Sequence, residues 1–247
     1  MSLFATIGHQ LRLNGRKVSR AMRRDGLLGT SKLVALNCWY LTTSAFSRSK
    51  PRSSVDIFDA EWGVRTAGVV EQSELDVDSS HHLQAIRYQP TPPAKFHLMM
   101  KTFDINYLEY TFVDIGSGKG RALLLAAQYP FRAIVGVEFS SDLCEIAEAN
   151  IEACRARLPA CQNLTSVCED ATLFQLPETP LVLYFYHPFE QPVMDLVIAN
   201  IRESVIRHPR RIVIIYYNPV CGPSLEKNEL FVALHRGEDF AIYSNQK

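Results

Sequence analysis

The chain has 247 residues, 47% of them hydrophobic, with 26 basic and 26 acidic side chains and a formal net charge of zero. That is enough apolar content for one sizeable core plus an appendage. It excludes a membrane span, because no apolar run approaches the roughly 18–20 residues one needs.

The zero charge averages two unlike parts. Residues 1–52 hold ten Lys/Arg against the single acid Asp25, leaving sixteen bases and twenty-five acids in residues 53–247. A basic head on an acidic body suits an anionic partner such as nucleic acid, a membrane surface or an acidic protein face, or an arm that folds back on its own body. The six cysteines (Cys38, Cys144, Cys154, Cys161, Cys168, Cys221) form no Cys-x-x-Cys pair and have no histidine at zinc-ligand spacing. They read as thiols of a reducing compartment, so no metal is expected. With no secretory h-region at the N-terminus, the expected location is cytoplasmic. The Arg-rich, acid-poor head also has the composition of a mitochondrial address.

In chain order, residues 1–29 read as helix, with Arg12, Arg16, Arg20 and Arg24 along one face. A second helix starts at Thr30 or Ser31 and carries Leu33, Val34, Trp39 and Leu41. SRSKPRSS, residues 47–54, has linker composition. The expected domains are therefore a basic helical extension over 1–54 and one catalytic-sized domain over 55–247. Residues 55–87 show no clear periodicity and read either as a lid or as a long connection. YQPTPPAKFHLMMKTF, from Tyr88, starts with a proline-fixed turn and continues as a helix through Phe96, Met99 and Met100.

From Tyr110 the alternation is regular. Strands are expected at 110–115, 132–138, 163–168, 181–186, 210–217 and 239–244, and helices at 119–129, 141–157, 191–206 and 224–235. Runs such as LVLYFY and IVIIYY are apolar throughout, as parallel strands covered on both faces are. The helix at 141–157 has one apolar stripe, Leu143, Ile146, Ala147, Ile151 and Cys154. A doubly wound, mostly parallel α/β sheet of six or seven strands follows.

The most informative stretch is FVDIGSGKGR, residues 112–121: an apolar run closing on Asp114, then Gly116, Gly118 and Gly120, then a good helix former. Glycines between a strand and a helix let the backbone approach the polar part of a nucleotide-like ligand. A Walker loop does not fit, because Gly120 follows Lys119 and Val113 stands where its first glycine belongs. A dinucleotide fingerprint is spoiled by Arg121 at its third glycine. What remains is acid-x-Gly-x-Gly-x-Gly, with a second acid, Glu138, closing the next apolar run.

This pattern resembles the first two motifs of class I S-adenosylmethionine-dependent methyltransferases, which have a Rossmann-like sheet. It is also similar to a bacterial group of that class with a basic N-terminal extension. The resemblance covers about residues 88–244 and implies S-adenosylmethionine as cofactor. In it Asp114 serves the cofactor's cationic end, Gly116, Ser117, Gly118 and Gly120 form the cradle, and Glu138 accepts from the ribose hydroxyls. Tyr88, Pro90 and Thr91 resemble an element that reaches over the methionine end. Asp170 and Ala171 resemble the Asp-Ala pair at the adenine. YFYHPFE, residues 184–190, falls where the family faces the transferable methyl. There His187 is a candidate proton acceptor, and Tyr186 and Phe189 are candidate walls for target or sulfonium.

Nucleic-acid amino-methylases carry Asn/Asp-Pro-Pro-aromatic at this corner; His187-Pro188-Phe189 departs from it. With the acidic body, this places a protein lysine or a small molecule slightly ahead of RNA or DNA as acceptor. A non-catalytic cofactor-binding module recruiting a partner through its arm is the other reading. The family's sheet ends in a β-hairpin, whereas about thirty residues follow Tyr217 here, read as one helix and one strand.

Overall fold

A computed structural model describes residues 56–71, 86–158 and 163–246. The expected helices of 1–54, their arginine stripe, the linker, Cys38 and Cys161 lie outside the described residues, as does most of the stretch between Val70 and Ile86. Among the described residues, no helix is long and apolar enough to cross a membrane.

The elements in chain order are α1 (Ile57–Trp62), α2 (Pro93–Met100), β1 (Thr111–Ile115), α3 (Arg121–Ala126), β2 (Ala133–Glu138), α4 (Ser141–Cys154), β3 (Leu164–Cys168), β4 (Leu181–Tyr186), α5 (Gln191–Arg207), β5 (Ile212–Tyr217), α6 (Gly222–Glu226), β6 (Val232–Arg236) and β7 (Phe240–Ser244). They build a seven-stranded sheet in the order β3-β2-β1-β4-β5-β7-β6. β1 to β5 pair in parallel, and β7 runs antiparallel to both its neighbours.

Each central strand supplies two cores by alternation. Phe112, Val182, Tyr184, Val213 and Ile215 point to one side, against Phe96, Met99 and Met100 of α2 and the leucines of α3. Val113, Ile115, Leu183, Phe185, Ile212 and Ile214 point to the other, against Val193, Met194, Val197 and Ile201 of α5. A strand covered on both faces has no polar side to show, which is why these runs read as unbroken hydrophobic sequence.

The helix expected over 224–235 is corrected. α6 is one short turn, and Val232–Arg236 is a strand, giving the sheet its seventh member. Ala233 and Leu234 are helix formers by propensity, but pairing with β7 decides the outcome here. The reversal runs through Gly237, whose N–H donates to Phe240 O at 3.0 Å. β6 is the half-exposed edge, with a register shift between Ala233 and His235, and a bulged edge strand loses its alternation signal.

β1 is the first strand laid down, with β2 on one side and β4 on the other. Chain direction across the sheet therefore reverses at the β1/β4 boundary. Doubly wound sheets open a crevice at such a boundary, beyond the strands' carboxyl ends.

Candidate functional site: a carboxylate-lined cleft at the switch point

The glycine loop leaves the end of β1 and turns back toward β2. The N–H groups of Gly116 and Ser117 both donate to Val137 O, at 2.8 and 3.1 Å. Gly116 has φ 82° and Gly118 φ 55°, a region in which side chains with a Cβ are strained. Space forbids a side chain as well. A Cβ on Gly116 would lie 2.5 Å from Cβ of Pro188, and one on Gly118 would overlap the Tyr88 ring. Gly120 packs its Cα side against Ala147 of α4.

Two acids stand behind this loop. Glu138 is buried and accepts from three backbone N–H groups: Gly118 at 2.8 Å and Phe139 and Ser140 at 3.0 Å each. Burial raises its pKa, while those three donors work to lower it, and the net direction is upward. Asp114 is buried too, but among the described residues no donor reaches its carboxylate. Burial first, and the nearby Glu138 charge second, push its pKa well above the ordinary value. Ser117 Oγ is likewise buried without a partner.

The opposite wall comes from the segment before α2 and from the end of β4. Tyr88 pairs with Val70 in an isolated antiparallel bridge, and Ile86 N–H donates to Pro188 O at 3.0 Å. The Tyr88 hydroxyl donates to Thr66 O at 2.7 Å. Lys119 Nζ sits 5.2 Å from the centre of the Tyr88 ring and donates to Ala67 O. The cleft between these walls is lined by Tyr88, Gly116, Glu138, Tyr186, Pro188 and Phe189, among others.

Of the residues expected at the site, Tyr88, Gly116, Glu138, Tyr186 and Phe189 thus meet in one cleft, with Asp114, Ser117 and Gly118 behind it. The others lie elsewhere. Thr91 Oγ1 is buried in a 3.0 Å hydrogen bond with Tyr184 Oη. Asp170 Oδ1 accepts from Thr172 N and Thr172 Oγ1 at 2.9 and 2.7 Å, a local turn at the end of β3, and Ala171 packs into the α5-side core. His187 is not among the lining residues. Its backbone has φ 41°, and its Nδ1 is 3.3 Å from Tyr216 Oη. Burial lowers its pKa, against a smaller opposing effect of Glu190. Tyr186 faces Tyr217 with ring centres 4.5 Å apart, and its hydroxyl is 3.3 Å from the Gln89 side-chain amide.

A charged cluster centred on Arg121 ties the walls of this cleft to residues before it. Arg121, the residue that spoils a dinucleotide fingerprint, is buried. Its Nη2 lies 2.9 Å from Asp56 Oδ1 and 3.0 Å from Asp59 Oδ1, and its Nε donates to Thr66 Oγ1. Asp56 also caps α1, accepting from Asp59 N. This ties residues 56–67 to the glycine loop. An acid three residues ahead of another at the start of a helical run was the available signal.

A family model described as "Putative methyltransferase" matches residues 109–182, from the turn before β1 to the start of β4. The matched segment holds the glycine loop together with Asp114 and Glu138. Among solved structures, the chain is similar to a SAM-dependent methyltransferase from Aquifex aeolicus (14% identity, 62% of this chain and 98% of that one, TM-score 0.45). It is similar also to an RNA methyltransferase from Salinibacter ruber in complex with S-adenosyl-L-homocysteine (20%, 63% and 91%, 0.40). A third is a ribosomal protein L11 methylase from Lactobacillus delbrueckii subsp. bulgaricus (13%, 60% and 74%, 0.42). No curated protein matches the sequence.

S-adenosylmethionine is the cofactor that the sequence resemblance implies, and the donors and acceptors present fit it. It carries an ammonium, a sulfonium and a ribose diol but no phosphate. The cleft correspondingly offers the Glu138 carboxylate and close backbone approach, with the Asp114 carboxylate and the unpartnered Ser117 hydroxyl buried behind it. Lys119, the one cation of the loop, is turned to Ala67 O and the Tyr88 ring.

Proposed function

We propose that the cleft binds S-adenosylmethionine through Asp114, Glu138 and the glycine loop, and transfers its methyl group to an amine of a protein side chain or a small molecule. The observation that carries this reading is Asp114. A buried carboxylate without a hydrogen-bond donor is costly, and it is tolerated where a ligand completes the pairing. The cofactor's ammonium is such a partner.

Bound there, the cofactor supplies an electrophilic methyl group. Glu138 accepts from the ribose hydroxyls, in place of some of its present backbone donors. Tyr186 and Phe189 form the wall at the acceptor end, where aromatic faces attract a cationic amine and exclude water. An amine must shed a proton to present its lone pair in line with the methyl carbon. That proton passes to solvent, because His187 is not among the lining residues and its Nδ1 is engaged with Tyr216 Oη. The acidic balance of residues 53–247 supports a cationic target over a polyanion.

Titration calorimetry with S-adenosylmethionine and S-adenosylhomocysteine tests the cofactor, and absence of heat for both at millimolar concentration sinks the proposal. Glu138→Gln is expected to weaken binding by about 1.5–3 kcal/mol, the range for a hydrogen bond to a charged group. Unchanged affinity would remove Glu138 from the site.

Labelled cofactor offered with lysine-containing protein, small amines or RNA reads out the acceptor. Product is expected with the amines and is expected to vanish in Gly118→Arg, whose side chain has no space beside Tyr88. Label found in RNA instead, with a steep dependence on salt that disappears on removing residues 1–52, would reverse the acceptor assignment and make the basic arm its nucleic-acid contact.

A further inference from the structure

Two cysteines flank Glu138. Cys144, in the first turn of α4, is buried, and its Sγ donates to Glu138 O at 3.4 Å. Cys168 is the residue opposite Glu138 in the β2/β3 ladder, and its side chain is exposed. Glu169, next to it, also donates its N–H to Glu138 O, at 2.9 Å. Second to burial, the Cys168 side chain raises the Cys144 pKa, as an adjacent group does. One of the pair is open to solvent and the other is shielded, and both lie against Glu138, which lines the cleft.

We propose that Cys144 and Cys168 form a reversible disulfide, and that this bridge is a redox-controlled modification site that weakens cofactor binding at Glu138. The oxidant is a low-molecular-weight disulfide such as oxidised glutathione. The Cys168 thiolate attacks one sulfur of that molecule, forming a mixed disulfide and releasing one thiolate. Cys144 gives up its proton to solvent and attacks the Cys168 sulfur, forming the internal bridge and releasing the second thiolate. Two cysteine thiols lose two electrons and two protons, and one small disulfide becomes two thiols. Burial pushes the Cys144 thiol up, so the second step is the slow one and quickens as pH rises.

The consequence for the cleft is local. A disulfide fixes the separation and torsion of the residues it joins, and it removes the hydrogen that Cys144 donates to Glu138 O. The two-residue turn between β2 and α4, Phe139–Ser140, supplies both N–H groups that hold Glu138 Oε1, and Ser140 O accepts from Cys144 N. Moving Cys144 therefore moves the frame of the Glu138 carboxylate. This effect on the cofactor rests on the proposed S-adenosylmethionine reading, whereas formation of the bridge does not.

The test uses the full-length protein, reduced and then incubated with oxidised glutathione at graded pH. Intact mass should fall by two hydrogen atoms, proteolytic mapping should join the Cys144 and Cys168 peptides, and dithiothreitol should reverse both. Affinity for S-adenosylhomocysteine should drop about tenfold, the equivalent of one lost hydrogen bond to a charged group. Cys168→Ser should form no bridge and keep its affinity under the same oxidant. A mixed disulfide that persists on Cys168 without closing overturns the proposal, as does a closed bridge with unchanged affinity. If the reduced protein binds no S-adenosylhomocysteine, the proposed function fails. The bridge is then still judged by mapping and by hydrogen exchange of the Gly118, Phe139 and Ser140 amides, which should speed up on oxidation; unchanged exchange counts against it.

Discussion

Replacing Arg121 with methionine is expected to lower the unfolding free energy by about 3–5 kcal/mol, the cost of removing one partner from a buried ion pair. Methionine keeps much of the stem's packing against Phe58, whose ring centre lies 4.8 Å from the guanidinium carbon. What it removes is the charge between Asp56 and Asp59, whose side chains are 27% and 15% exposed against 5% for Arg121. Asp59 then keeps only neutral donors, the Thr66 hydroxyl and the Ala67 N–H, at 2.6 and 2.7 Å. Burial alone would raise the Asp59 pKa, but those hydrogen bonds and the Arg121 charge hold it below its ordinary 3.8. A depressed carboxylate stabilises the fold above its unfolded pKa and stops doing so as pH falls through the folded value. The gap between wild type and Arg121→Met should therefore be full at neutral pH and shrink below about pH 4. Urea unfolding at neutral and acid pH measures it. A loss under about 1 kcal/mol at pH 7 would mean that the cluster is solvated and does not hold residues 56–67 to the loop.

Asp114→Asn is expected to move stability and binding in opposite directions. In the ligand-free protein Asp114 is an acid whose folded pKa stands well above 3.8. Its charged form is thus a penalty, complete above the folded pKa and relieved as pH falls through that value toward the unfolded one. The amide carries no such penalty, so the variant should unfold at higher urea concentration at neutral pH and lose that advantage in acid. Cofactor affinity should fall by about 2–5 kcal/mol, the cost of truncating one partner of a buried charged pair. Binding to the wild type should also release protons below the folded pKa of Asp114, because an arriving ammonium favours the carboxylate; the variant should release fewer. Calorimetry in buffers of different ionisation enthalpy reads this directly. Unchanged affinity in Asp114→Asn would detach the buried acid from the ligand.

Much of the frame was legible because burial on both faces imposes a recognisable composition. Leu181–Tyr186 begins and ends where LVLYFY does, and β2, β3, β5 and β7 fall within two residues of their expected starts. The glycine loop and its two acids were legible because backbone geometry and charge restrict which residues can stand there. What escaped depended on partners distant in sequence. Val232–Arg236 is a strand by virtue of β7, and its own residues do not say so. Arg121 acts on residues fifty-five to sixty-five positions earlier, so although Asp56 and Asp59 mark a helix start, nothing local pairs them with it. The resemblance of Tyr88, Pro90 and Thr91 to a family element implies a cofactor contact at Thr91, but its hydroxyl is hydrogen-bonded to Tyr184, ninety-three residues on.

The reversed strand sets an order on how the domain is made. β7 lies between β5 and β6, fully buried, and pairs with both. As the chain emerges from the ribosome, β1 to β5 can assemble into a parallel sheet with its helices. Ile212–Tyr217 nevertheless keeps one hydrogen-bonding edge bare until Phe240–Ser244 has been synthesised and threaded beside it. During that interval IVIIYY is an uncovered apolar strand with high β-propensity, the kind of surface to which nascent chains lose material by mispairing. Slowing translation over residues 218–240 is therefore expected to lower the yield of folded protein by lengthening the exposure of this edge.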